Sequence, residues 1–218
     1  DAAVYAGDYL MSRVQHCEIV EGFYEAAVIL SETISHMCIG EIGQAECRYL
    51  EDVTCDDYLR NIRGKTASLF KAACMLGAME AGCDKDVTEK LGCFGEYLGI
   101  MFQFRDDLLD FTQTKCEAGK ETHKDFHDGI YTIPVLMAMR TPGGKEALLP
   151  LMRENKKRLL SCEEIRHMEE IVKVHNGVEL TKEEIHRYCK KTEKILESLP
   201  EGEPMDEIKR MVHELDKV

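Results

Sequence analysis

Leu98-Gly99-Ile100-Met101-Phe102-Gln103-Phe104-Arg105-Asp106-Asp107-Leu108-Leu109-Asp110-Phe111 is apolar on several faces at once and ends in three carboxylates. Leu98, Ile100, Met101, Phe102, Phe104, Leu108, Leu109 and Phe111 surround a helical axis, which marks a buried central helix. Asp106 and Asp110 stand four apart, and Asp107 and Asp110 three apart; helix side chains at these spacings are neighbours, so the three are expected on one side. Asp is a poor helix former and like charges at these spacings repel. Carboxylates at the end of a buried helix need a cation. Oxygen-only ligands suit Mg²⁺, which takes one or two carboxylates and fills its shell with phosphate oxygens and water. A solvated acidic helix end is the competing reading, and the apolar flanks with Gln103 weigh against it.

Working outward, the rest of the chain also reads as helix. Apolar residues recur with the helical period, and alternating runs of Val, Ile and Thr are absent. The pattern predicts helices over 1–18, 24–49, 56–81, 87–113, 131–140, 144–158, 163–174, 182–198 and 205–216. Ser161 with Glu164 and Thr181 with Glu184 read as capping boxes, and Asp86 with Glu89 as a similar start. Asn176-Gly177 and Pro200 read as stops. A long irregular stretch falls at about 115–129. Residues 141–218 are more charged and are expected as peripheral helices of one domain spanning 1–218.

Bulk composition narrows the class. With 218 residues, 44% of them hydrophobic, the chain can build one substantial core. A net charge of −13 argues against nucleic acid and anionic membrane as partners. It also means that an anionic substrate would need local cations. No apolar run reaches the roughly 20 residues of a membrane-spanning helix. The 10 cysteines lie inside helical patterns without C-x-x-C spacing, and read as reduced thiols of a cytoplasmic protein. The start at Asp1 falls inside an apolar pattern, so the natural protein is expected to extend upstream.

Further groups carry chemistry. Lys65-Thr66 interrupts a small-residue helix, where Lys offers a point charge to a phosphate and Thr a hydroxyl; a snorkelling surface lysine is the plain alternative. Gly119-Lys120, Asp125 and Gly129-Ile130-Tyr131-Thr132-Ile133-Pro134 combine free backbone, a cation and a helix start; a mobile loop is the alternative. His123 and His127 flank Asp125 but form a poor metal template. Gly40-Glu41-Ile42-Gly43-Gln44 sets two polar residues between glycines, a pattern that helix packing alone can explain. Gly7-Asp8-Tyr9-Leu10 places an acid in an apolar helix.

In order and spacing these segments resemble the trans-isoprenyl (polyprenyl) diphosphate synthases of medium and long chain type. Gly7-Asp8-Tyr9-Leu10 resembles the family's G-D-x-L, Gly40-Glu41-x-x-Gln44 its G-E-x-x-Q and Lys65-Thr66-Ala67 its K-T-A/G. Phe102-Gln103-x-x-Asp106-Asp107-x-x-Asp110 resembles its second aspartate-rich motif, and Gly119-Lys120 through Pro134 its lysine loop. The resemblance covers residues 7 to 134. It implies an all-α bundle of antiparallel helices around a central cavity, usually a homodimer. It also implies a head-to-tail (1′-4) condensation of isopentenyl diphosphate with an allylic diphosphate, dependent on Mg²⁺. By resemblance Asp106, Asp107 and Asp110 hold metal, and Lys65 and Lys120 bind the allylic diphosphate. Thr66 and Gln103 flank the forming cation, and Phe102 faces the isopentenyl side. Catalytic roles fall to Lys65, Thr66, Gln103 and Asp106.

The family's first D-D-x-x-D motif, with its following arginines, lies upstream of G-D-x-L and is not in these residues. His123 stands where the family usually has a small residue. The resemblance therefore implies missing N-terminal helices and weak turnover for the 218 residues by themselves. The alternative is an inactive fragment or a regulatory subunit of a heteromeric synthase. The retained lysines and aspartates favour the enzyme. A terpene cyclase of the same fold ranks last, because it lacks the Lys-Thr pair and the Gly-Lys loop.

Overall fold

The long helix that opens the sequence reading runs through the middle of the molecule as α5 (Lys85–Thr112). The computed structural model describes residues 2–112, 123–199 and 202–218. Ahead of α5 come α1 (Ala2–Val20), α2 (Tyr24–Glu46), α3 (Cys55–Ile62), a single π turn (Arg63–Ala67) and α4 (Ser68–Glu80). After it come α6 (Lys124–His127), α7 (Ile133–Met139), α8 (Gly144–Asn155), α9 (Cys162–Val174), α10 (Gly177–Leu196) and α11 (Glu203–Asp216). Every regular element among the described residues is helical, in agreement with the all-α reading.

The core forms around α5. Phe94, Leu98, Ile100, Met101, Phe104 and Leu108 are all buried. α4 packs along one flank of α5 and α10 along another. The contact along the first flank is made by backbone: a Cβ on Gly95 would lie 2.5 Å from the Phe70 carbonyl oxygen of α4, and one on Gly99 2.6 Å from the Ala67 Cα of the π turn. On the α10 side Tyr188 meets Phe104 edge-on at 5.8 Å and Tyr97 at 5.6 Å. The charged segment expected at the periphery contributes Leu148, Met152, Met168, Val172, Ile185 and Leu196 to this same cluster. Only one stripe of each of its helices is apolar, and the charged outer faces dominate its composition.

Several boundaries differ from the sequence reading for identifiable reasons. Ser161 does form the expected capping box with Glu164. Thr181 does not start a helix: it is buried inside α10 and its hydroxyl donates to the Gly177 carbonyl at 2.7 Å. α10 begins at Gly177 instead, after Asn176 in the left-handed region with φ 55°. Thr54 forms a capping box with Asp57 that a search for Glu or Gln at the third position passes over. α5 starts slightly earlier than expected, where the Asp84 carboxylate accepts the Val87 N–H at 2.9 Å. The long predicted helix over 56–81 is continuous in direction but carries the π turn at its middle. Pro200 lies outside the described residues, as does Cys116; the other nine cysteines are free thiols.

Candidate functional site

The π turn packs against both α2 and α5 and so holds Lys65 and Thr66 between them. It is held there by backbone against backbone. A Cβ on Gly40 of α2 would lie 2.4 Å from the Lys65 nitrogen and 2.5 Å from the Asn61 carbonyl oxygen, and one on Gly64 2.5 Å from the His36 carbonyl oxygen. One extra residue in the turn re-aims the side chains that follow it, a device frequent at functional sites. The close approach brings both polar residues of the Gly40–Gln44 segment to the lysine. Lys65 Nζ donates to Gln44 Oε1 at 2.7 Å and pairs with Glu41 Oε2 at 2.9 Å. An ammonium carries three donors, so one remains for a ligand.

Thr66 leads into a chain of hydrogen bonds along α5. Its hydroxyl donates to Gln103 Oε1 at 2.8 Å, and Gln103 Nε2 donates to Asp107 Oδ1 at 2.9 Å. The other Asp107 oxygen accepts from the Tyr58 hydroxyl and, at 3.4 Å, from the Ile133 N–H at the start of α7. Asp107 is therefore a buried anchor joining α3, α5 and α7. Burial pushes its carboxyl up to about 7, against the pull of Tyr58, Gln103 and Ile133.

The expected clustering of all three aspartates on one side needs correction. Asp106 and Asp110 are exposed and Asp107 is buried. Among the described residues the three carboxylates do not come within 4.8 Å of one another as a group. The acid that joins the outward pair is Asp125 of α6. Burial raises Asp125, and Asp110 and Asp106 raise it further while Lys65 pulls it down. Partial burial of its carboxyl likewise raises Asp110, with His123 opposing and Asp106 adding to the shift. Asp106, Asp110, Asp125 and Lys65 thus share one electrostatic field, with more negative than positive charge in it. Phe102 is exposed and packs on Phe70 at 5.4 Å between ring centres.

The histidines beside Asp125 form no metal site among the described residues. His123, in the left-handed region with φ 58°, is buried edge-on to Phe111, with Nε2 2.7 Å from Glu169 Oε1. Gly119 and Lys120 lie outside the described residues. A cavity of about 830 Å³ opens beside Gly40, Gly43 and Gly64 and is lined by none of Lys65, Thr66, Gln103 or Asp106. Sequence reasoning missed Tyr58, which carries no local signal. Glu41 and Gln44 stood out in the sequence without a role; the paired glycines were the signal for one.

Comparison with known proteins places this geometry. Residues 1–172 match the family model described as Polyprenyl synthetase. The chain is 34% identical over 200 residues to heptaprenyl diphosphate synthase component 2 of Bacillus subtilis (strain 168), covering 92% of this chain and 56% of the relative. The corresponding Geobacillus stearothermophilus protein is 35% identical over 201 residues, covering 92% and 61%. The structure superposes with a TM-score of 0.89 on a polyprenyl synthase from Caulobacter crescentus CB15 complexed with calcium and isoprenyl diphosphate. That pair is 26% identical, and the match covers all of this chain and 66% of the other. The chain thus spans about three fifths of the length of these two curated relatives.

Proposed function

The chain belongs to the polyprenyl synthetase family, and from that premise we propose that its site serves a prenyl transfer dependent on Mg²⁺. Isopentenyl diphosphate is condensed with an allylic diphosphate, 1′-4 and head to tail, to give a polyprenyl diphosphate. The observation that carries this reading is the line of hydrogen bonds from Thr66 through Gln103 to Asp107, with Lys65 at one end and two exposed aspartates on the same helix.

The donor set fits Mg²⁺. Asp106 and Asp110 offer hard oxygens on an exposed surface, and the surplus negative charge they share with Asp125 is relieved by a divalent cation. The metal, when bound, supplies positive charge to the departing diphosphate. Lys65 directs its remaining N–H to a diphosphate oxygen, and Lys120 adds a second cation. Thr66 donates its proton to Gln103, so its oxygen lone pairs are left for the carbocation that forms as the diphosphate departs. Asp107 fixes the Gln103 amide and is a positioning residue. Phe102 offers an apolar surface to the isopentenyl side.

The names of the relatives, heptaprenyl among them, support a medium to long product. α1 buries no residue and exposes Val4, Tyr5, Tyr9, Leu10 and Val14, an apolar face open to the upstream helices and to a second copy in the homodimer that the family resemblance implies. The words "component 2" in the Bacillus name support the alternative of a heteromer. The test is incubation of the complete reading frame with labelled isopentenyl diphosphate, an allylic diphosphate and Mg²⁺. Chain-extended product is expected, and Asp106→Ala should lower turnover by roughly 10²-fold or more with helicity intact. Absence of extended product from the complete protein sinks the reading.

A further inference from the structure

Away from the aspartate helix, the last two helices carry a second group of ligating side chains. His186, Cys189 and Glu193 stand at i, i+3 and i+7 on α10 and form one stripe. His213 and Asp216 stand three apart on α11. The helices pack antiparallel, so the stripes face each other. One ligand atom each of Cys189, Glu193 and His213 lies within 4.8 Å of the other two. Beside this group, Asp216 Oδ2 is 3.1 Å from His186 Nδ1.

This cluster lacks a compensating cation. Among the described residues no Lys or Arg pairs with Glu193 or Asp216; the ion pair of Asp216 is with His186. Glu193 thus converges with a buried thiol and the His213 imidazole, and the Asp216 carboxylate beside them is answered only by His186. Sulfur, nitrogen and oxygen donors together select ions of the zinc class, whereas Mg²⁺ takes oxygen alone. Bonds of about 2.0–2.3 Å in a tetrahedral site put ligand atoms roughly 3.3–3.8 Å apart. The three donors, within 4.8 Å of one another, are therefore at most about 1–1.5 Å from closing on an ion.

We propose that Cys189, Glu193 and His213 bind a zinc-class metal ion, with the Asp216–His186 pair beside it. The ion clamps α11 onto α10. On binding, the thiol loses its proton to solvent and a metal–sulfur bond forms; no electron is transferred. The site is independent of the proposed prenyl transfer, because it shares no residue with the aspartate helix.

Co²⁺ is the probe, since a cobalt–thiolate bond gives an intense charge-transfer absorption in the near ultraviolet. The complete protein, freed of metal with a chelator, should take up a single equivalent of Co²⁺ with that absorption, and Zn²⁺ should displace it. Cys189→Ser should abolish the absorption. His213→Gln, at an exposed position, should weaken Co²⁺ binding by roughly tenfold or more with unchanged helicity, and decides the matter if Cys189→Ser does not fold. Asp106→Asn should leave the absorption and its affinity intact. The proposal is overturned if the unaltered protein shows no thiolate absorption, if His213→Gln binds Co²⁺ as tightly, or if Asp106→Asn loses the absorption.

Discussion

Substituting Gly40 by Ala should damage the molecule well beyond the single methyl group it adds. The new Cβ would lie 2.4 Å from the Lys65 nitrogen, 2.5 Å from the Asn61 carbonyl oxygen and 2.9 Å from the Gly64 carbonyl carbon, where ordinary contact begins at 3.4 Å. All three atoms are backbone, so no side chain can turn away; α2 must shift from the π turn by about 1 Å. Overpacking of this kind costs about 1–3 kcal/mol, and the upper end applies where backbone must move. Replacing Gly by Ala inside a helix returns about 1 kcal/mol, so the net loss should be about 1–2 kcal/mol. Gly77 in α4 is the internal control, because a Cβ there meets nothing within 4 Å. Gly77→Ala should gain about 0.5–1 kcal/mol. Urea denaturation of the three proteins measures both. The shift also carries Gln44 and Glu41 away from Lys65, and a displacement of that size typically costs about 10²-fold in turnover. Equal stability of Gly40→Ala and Gly77→Ala refutes the reasoning, as does an unchanged Lys65–Gln44 distance in a crystal structure of Gly40→Ala.

Tyr58→Phe removes the hydroxyl that Asp107 Oδ2 accepts and leaves that buried oxygen only the 3.4 Å contact with the Ile133 N–H. Urea denaturation should show a loss of about 1.5–3 kcal/mol, and turnover should fall because Gln103 loses its fixed anchor; unchanged values for both would remove Tyr58 from the network. Glu164 is pulled from 4.5 down to about 2, by Arg158 first and then by Ser161. Its contribution to stability is therefore complete above pH 4.5 and is lost as pH falls towards 2. In Arg158→Ala the carboxyl carbon shift of Glu164 should titrate nearer 4.5, and an unmoved midpoint would contradict the pairing.

The local patterns told the helices and missed what depends on contact between them. Period and caps located most of the elements because α9 and α10 each keep a clean buried stripe, such as Ile165, Met168, Ile171 and Val172. The Thr181 misreading shows the limit of a capping signature. Thr with Glu three residues on satisfies the pattern equally well inside a helix, where the hydroxyl bonds back to the carbonyl four residues earlier. The π turn had no local signature, and the backbone it packs against at Gly40 belongs to another helix. Lys65 and Thr66 were legible as chemistry, but their partners Gln44 and Gln103 could be assigned only once α2 and α5 were each brought against the π turn.

The aspartates carry the same lesson in angles. Each residue advances a helix by about 100°, so Asp110 stands about 40° from Asp106 while Asp107 stands about 100° from Asp106. Spacing rules that count three and four as neighbours group all three; the angles separate Asp107. The helix surroundings decide what each direction meets. Towards Asp107 lie Tyr58, Gln103 and the start of α7, and towards Asp106 and Asp110 lies the exposed surface. A buried carboxylate with three donors costs less than one without them. In this arrangement Asp107 draws the Gln103 amide towards the core and turns its carbonyl to Thr66. The residue least exposed to a metal thus orients the groups nearest the proposed cation. Asp107→Asn should accordingly disturb the Thr66–Gln103 pair while leaving both exposed carboxylates in place.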